Sequence, residues 1–216
     1  MQARGDVVGT YKVKAGSQSL DLDLVALDDS LAIALLMTID ESISFVRTAG
    51  AELATRLATS VGSGGGTAID VVVSAATLGI QIGMAVAVGL GLDRQVVLQK
   101  TKKIHLRDAL SEPLSSITTG TAQDLLLDRR AIPAIRGKNV VFVDDVISSG
   151  SSCAAALRLI RAAGGNVVGV AAILVEGEGW KTMLGHDDAE LVFFLGKIPL
   201  FRPTGPDGAW EPDWYC

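Results

Sequence analysis

The stretch 139–156, Asn-Val-Val-Phe-Val-Asp-Asp-Val-Ile-Ser-Ser-Gly-Ser-Ser-Cys-Ala-Ala-Ala, constrains this chain more than any other. Asn139 to Val143 form a short apolar run, mostly β-branched or aromatic, of the kind that lies buried in a parallel sheet. Asp144 and Asp145 are predicted to stop that strand. Two more apolar residues follow, and then Ser148, Ser149, Gly150, Ser151 and Ser152 open an alanine-rich helical pattern that runs to Ala163. The pattern predicts a strand, a tight turn and a helix.

That arrangement has a chemistry of its own. The first turn of a helix leaves backbone N–H groups unpaired, and a loop of glycine and small hydroxyl residues lets a phosphate sit close against them. Ser148 to Ser152 therefore read as a phosphate cradle. Two adjacent carboxylates at the carboxyl end of a strand lie where open α/β sheets bind ligands, and they can accept from a pair of sugar hydroxyls or hold a metal's waters. A diol-binding pair followed by a phosphate loop suggests a ribose 5-phosphate. A plain strand end with a serine N-cap is the simpler alternative, but a cap needs one serine and no acid pair.

Val140 to Ser152 resembles the phosphoribosyl pyrophosphate (PRPP) signature of type I phosphoribosyltransferases: four apolar residues, two acids, two apolar residues and a Ser/Thr/Gly loop. The resemblance implies that Asp144 and Asp145 hold the ribose 2- and 3-hydroxyls and that Ser148, Ser149, Gly150, Ser151 and Ser152 hold the 5-phosphate. It also implies an α/β fold, a parallel-sheet core with helices on both faces and a small hood subdomain.

A chain of 216 residues can bury about 70% of its unfolded surface without staples. Its two cysteines, Cys153 and Cys216, make no disulfide framework and point to a reducing cytosol, hence a cytoplasmic protein. Cys153 has no basic residue near it in sequence and reads as a packed residue rather than a nucleophile. A net charge of −5, with basic residues scattered apart from Lys100, Lys102 and Lys103, argues against nucleic acid as a partner. The N-terminus has no apolar signal-peptide core. Val71 to Leu92 carries no charge and is long enough to span a bilayer, but it changes character halfway from strand-like to helix-like, so no membrane span is expected.

Residues 7–27 alternate apolar with polar, as half-buried antiparallel strands do. Residues 41–61 put Phe45, Ala49, Leu53 and Leu57 on one helical face. Gly62 to Thr67 precedes a strand instead of following one, so it reads as a linker and not a dinucleotide loop. A strand over Ile69 to Val73 then leads through Ser74 to Gly79 into a Gly/Ala helix. By the resemblance this loop contacts the PRPP pyrophosphate through Ala75, Ala76 and Thr77; a plain strand-to-helix turn is the other reading. Gln95 to Gln99 forms a second short strand and delivers Lys100, Lys102, Lys103 and His105 into a polar segment ending near Gly120. Cations closing over a departing pyrophosphate lower the barrier. The family's flexible lid would span about 100–121, with Lys100 and Lys103 catalytic beside Asp144 and Asp145, and with Lys102 and His105 on the pyrophosphate. A solvated charge run is the bland alternative.

Gly164-Gly165 is predicted to cap the phosphate-loop helix before the strand Val167 to Val175. That strand's end faces the nucleobase in the family, which implies base contacts at Glu176 and Ile147. Acidic Glu176 and Glu178 suit base N–H groups, whereas an orotate site would want arginine. Ser148 stands where hypoxanthine-guanine enzymes usually carry an acid, so the resemblance is to adenine- and xanthine-type members. The tail from Phe201 has three prolines, against helix or central strand, and its aromatics are expected to pack on the body or on a partner subunit.

The resulting expectation divides the chain into 1–64 (hood and core), 65–200 (PRPP-binding core) and 201–216 (tail). The implied reaction transfers ribose 5-phosphate from PRPP to a purine, adenine favoured, with release of pyrophosphate. Mg²⁺ would be carried by PRPP near Asp144 and Asp145 with no direct protein ligand, and the assembly would be a homodimer. An orotate enzyme and a PRPP-sensing regulator without turnover are the alternatives.

Overall fold

The structure, a computed structural model, describes residues 5–62, 68–101, 106, 108–114, 123–204 and 209–214. In chain order it begins with β1 (Val7–Ala15), β2 (Gln18–Asp28), β3 (Leu31–Leu35), α1 (Ile43–Gly62), β4 (Val71–Ala75), α2 (Gly79–Gly89) and β5 (Gln95–Leu98). It continues with β6 (Leu110–Leu114), β7 (Gln123–Leu127), α3 (Ile132–Ile135), β8 (Asn139–Ile147), α4 (Ser151–Ala162) and β9 (Asn166–Glu176). Short helices α5 (Gly179–Leu184) and α6 (His186–Ala189) precede β10 (Val192–Ile198), β11 (Leu200–Thr204) and β12 (Ala209–Asp213).

The parallel sheet has the order β10-β9-β8-β4-β5. Because side chains alternate across a strand, β8 feeds two cores. Val141 and Val143 pack with Leu53 and Leu57 of α1 and Ile82 and Val86 of α2, while Val140 and Phe142 pack with Ala156, Leu157 and Ile160 of α4. The helical face expected over 41–61 is the buried one: Phe45, Ala49, Leu53 and Leu57 are all 4% exposed or less. Val71 to Leu92 divides into β4 and α2, and no helix among the described residues is long and apolar enough to cross a membrane.

A second, antiparallel sheet, β1-β2-β3-β11-β12, joins the two ends of the chain. Every second residue of β2 (Leu20, Leu22, Leu24, Ala26) is buried, and this sheet shares the core on the α1 side of the parallel sheet. The tail departs from expectation here. Despite its prolines, β11 is an interior strand of the hood sheet, paired with β3 at Leu200↔Ile33 and Phe201↔Ala32. Pro203 lies beyond that two-sided segment and Pro212 is on the outermost strand, so neither removes a ladder donor between two strands. Phe201 is buried edge-on to Tyr11, at 5.1 Å between ring centroids.

A second departure concerns the acid pair. β8 does not stop at Asp144 but runs through both carboxylates to Ile147, because its partner β9 continues alongside at Asp144↔Ala172 and Ile147↔Val175. β6 and β7 form a separate hairpin, tied to β5 by a bridge between Gln99 and Leu126 and to α4 by an ion pair between Arg158 and Glu112 at 2.7 Å.

Candidate functional site

The carboxyl ends of β4, β5, β8 and β9 open onto two adjoining cavities. The first, about 250 Å³, is lined by Ala76, Thr77, Lys100, Asp144, Asp145, Ile147, Ser148, Ser149, Gly150 and Ser152. The second, about 560 Å³, shares Lys100, Asp145, Ser148, Ser149 and Ser152 with the first and adds Ser151 and Glu176. Leu27 of β2, Leu31, Ile33 and Leu35 of β3, and Leu114 of β6 form its apolar wall.

The turn from β8 into α4 depends on Gly150. Its φ of 81° lies in the left-handed region, and a Cβ there would come 3.1 Å from both the Cα and the carbonyl oxygen of Trp180. Only glycine lets the loop pass that close to α5, and the turn sets Gly150 and Ser152, at the start of α4, in the lining of the first cavity. The side chain of Asp144 rests against the start of α2, where a Cβ on Gly79 would lie 2.4 Å from Asp144 Oδ1. Burial, and then the charge of Asp145, hold the Asp144 carboxyl well above the usual carboxylate range, with Lys100 pulling the other way. Burial raises Asp145 as well, while its hydrogen bond to Asp144 opposes the shift. The pair is a crowded, desolvated diacid that titrates as a unit and gains from any partner that neutralises it.

Ala75 is buried and lines neither cavity, and the Ala76 N–H donates to the Leu98 carbonyl at 2.9 Å, which leaves Thr77 as the exposed member of the predicted pyrophosphate loop. Lys100 reaches both cavities; Lys102, Lys103, His105 and Thr118 to Thr121 lie outside the described residues. The Ser148 hydroxyl donates to Glu176 Oε2, so it is turned toward the second cavity and away from the expected phosphate position. Burial pushes the Glu176 carboxyl up to about 7, against the pull of that hydroxyl. Glu178, read from sequence as an equivalent acceptor, is paired with Lys181 and Lys197 instead. Cys153 is buried, which drives its thiol far up and makes it a packing residue.

Sequence reasoning missed the leucine wall and Thr38, a fully buried residue whose hydroxyl donates to the Leu78 carbonyl at 2.6 Å and ties the hood connection to the predicted pyrophosphate loop. The alternation in Leu31 to Leu35 was the available signal for the wall, but alternation does not say what a face looks onto.

A family model described as phosphoribosyl transferase domain matches residues 43–189. An adenine phosphoribosyltransferase of Corynebacterium glutamicum is 40% identical over 108 residues, 50% of this chain and 56% of that protein. A hypoxanthine/guanine phosphoribosyltransferase of Methanococcus voltae is 28% identical over 129 residues, 58% of this chain and 65% of that one. The match thus spans little more than half the length of these curated relatives. Among solved structures, an adenine phosphoribosyltransferase of Saccharomyces cerevisiae superposes with a TM-score of 0.59 at 18% identity, covering 87% of this chain and 94% of that one. One of Thermoanaerobacter pseudethanolicus gives 0.56 at 22% identity, with 72% and 84% covered.

Proposed function

The chain belongs to the phosphoribosyltransferase family, and on that premise we propose that it transfers ribose 5-phosphate from PRPP to a purine, with adenine as the favoured acceptor. One observation carries this reading: the acid pair and the phosphate loop face one cavity, which opens directly into a second cavity with an apolar wall. In this reading the α4 N-terminus and Ser149 to Ser152 hold the 5-phosphate, Asp144 and Asp145 accept from the ribose hydroxyls, and Lys100 stands on the pyrophosphate side. Positioning and fixed charge do most of the work. The flat apolar base would lie against Leu27, Leu31 and Ile33 with Glu176 at its polar edge; Ile147, expected from the resemblance to touch the base, lines the first cavity instead, on the side of the acid pair.

The second cavity has no arginine among its described lining residues, which disfavours an orotate carboxylate. A divalent ion carried by PRPP would sit near Asp144 and Asp145 and relieve the charge of that crowded pair. Bound in that way, Mg²⁺ would neutralise the pyrophosphate. A homodimer is supported by the outer face of α1 and α2, where Ile43, Met84 and Val88 are 80%, 57% and 71% exposed around a groove rimmed by Glu41 and Arg47. A two-fold axis there would set opposite charges against each other. We assign the protein to the cytoplasm.

The test is pyrophosphate release with PRPP and Mg²⁺ against adenine, hypoxanthine, guanine, xanthine, uracil and orotate. Release with adenine alone is the expected outcome. Saturable PRPP binding without release from any base would replace this reading with that of a non-catalytic PRPP sensor.

A further inference from the structure

Glu176 ends β9 in the lining of the second cavity and is 6% exposed. Its one hydrogen bond among the described residues comes from Ser148, and Ser148 lines both cavities. No cation among the described residues is paired with it. Lys181 and Lys197 are engaged by Glu178, Arg158 by Glu112 and Arg161 by Asp188, while Lys100, which shares the second cavity, acts on the acid pair. A carboxyl group that is buried with a hydroxyl as its one described side-chain partner is poor at holding a negative charge and well suited to holding a proton. Near neutral pH it does both, since burial moves its titration to about 7.

The transfer, if it proceeds as read above, requires such a group. A purine ring nitrogen forms the new bond to the anomeric carbon, while the bond from that carbon to a pyrophosphate oxygen breaks and its electron pair leaves with pyrophosphate. The acceptor base starts with an N–H and ends without one, so one proton must be taken up. We propose that Ser148 and Glu176 together are the proton acceptor of the transfer. The base N–H gives its proton to the Ser148 oxygen as the serine's own proton passes to Glu176. The glutamate is left neutral, the hydroxyl is restored, and Glu176 afterwards releases the proton to solvent. Asp144 and Asp145 remain with the sugar hydroxyls throughout. Two residues that the chain order separates by 28 positions thereby act as one base, with the serine as the part that reaches the substrate.

This assignment rests on the transferase reading, and its test separates the two. Glu176→Gln and Ser148→Ala are compared with wild type by calorimetric PRPP binding and by single-turnover rates with adenine from pH 5 to 9. The wild-type rate should rise about tenfold per pH unit below about 7 and level off above it. Glu176→Gln should bind PRPP within about threefold of wild type, lose the single-turnover rate by about 100-fold or more, and lose the acid limb of the profile. Ser148→Ala, an exposed position that does not threaten folding, should lose rate in the same direction. The loss in Glu176→Gln should shrink with 8-azaadenine, whose ring N–H is more acidic. Either of two results overturns the assignment while leaving the transferase reading standing: wild-type rates in Glu176→Gln, or an equal loss with both bases and an unchanged acid limb. Absence of turnover by wild type with every base overturns both.

Discussion

Glu176→Gln also tests the electrostatics of the site in the absence of substrate. The folded protein holds this carboxyl at about 7, against an ordinary value of 4.5. Below pH 4.5 the group is neutral in the folded and unfolded chains alike, and its contribution is constant. Between the two values the unfolded chain has released the proton and the folded chain has not, so rising pH favours unfolding. Above about 7 both are ionised and the loss is complete. It amounts to about 3 kcal/mol, a large part of the 5–15 kcal/mol typical of a domain. Asp144 and Asp145 are raised by the same burial and add a loss of the same sign. Urea denaturation of ligand-free protein, at fixed protein concentration and ionic strength from pH 4.5 to 8, should show wild-type stability falling as pH rises. Glu176→Gln cannot ionise there, so its curve should be shallower by about 3 kcal/mol and should lie above wild type at pH 8. If the two curves fall in parallel, Glu176 does not titrate as its burial dictates and the reasoning is wrong.

Gly150→Ala places a Cβ 3.1 Å from the Trp180 backbone at a φ of 81°. It should cost about 1–2 kcal/mol of stability from the left-handed conformation alone and weaken PRPP binding at least about tenfold, readable by thermal melts and calorimetry. Asp145→Asn should lower PRPP affinity or turnover by at least about tenfold, equivalent to ~1.4 kcal/mol, while leaving the ligand-free protein no less stable than wild type, since it removes one member of a crowded acid pair. Met84→Glu combined with Val88→Glu puts charge on the exposed α2 face and should convert a dimer to monomer in analytical ultracentrifugation; an unchanged sedimentation coefficient would place the contact elsewhere.

The parts of this fold legible in the sequence are those that local physics decides. A buried strand, a glycine-bearing turn and an alanine-rich helix follow one another between Asn139 and Ala163, and each residue's role depends on neighbours a few positions away. Gly150 has to be glycine for a reason that could be anticipated only in part: the turn was foreseeable, the Trp180 backbone above it was not. The end of β8 was misplaced because strand length is set by the partner strand, and β9 carries the ladder past the two acids. Glu176 and Glu178 were indistinguishable as acids two residues apart. The turn at Gly177, with a φ of 58°, sends one into the cavity and the other to Lys181 and Lys197. The hood was the least legible part, since it pairs Leu200 with Ile33, a contact between opposite ends of the chain that no local pattern announces.

That division has a functional side. The groups proposed to grip PRPP lie on β8, its following loop and Lys100, two residues beyond β5, all anchored to a parallel sheet whose central strands are buried on both faces. The wall proposed to face the base comes from β2 and β3, in a second sheet that packs on this core and is joined to β10 where the Gly16 N–H donates to the Leu195 carbonyl at 3.0 Å. In that reading, changing Leu27, Leu31 or Ile33 should alter the shape offered to the acceptor more than the hold on PRPP, which steady-state KM values for each substrate would show. Ser148 and Glu176 are the exception, since one belongs to the phosphate loop and the other to the base cavity, and a single hydrogen bond joins them. In the proposed reading, sugar-phosphate grip and base chemistry meet at that bond, so a substitution at Ser148 should alter both PRPP binding and acceptor use.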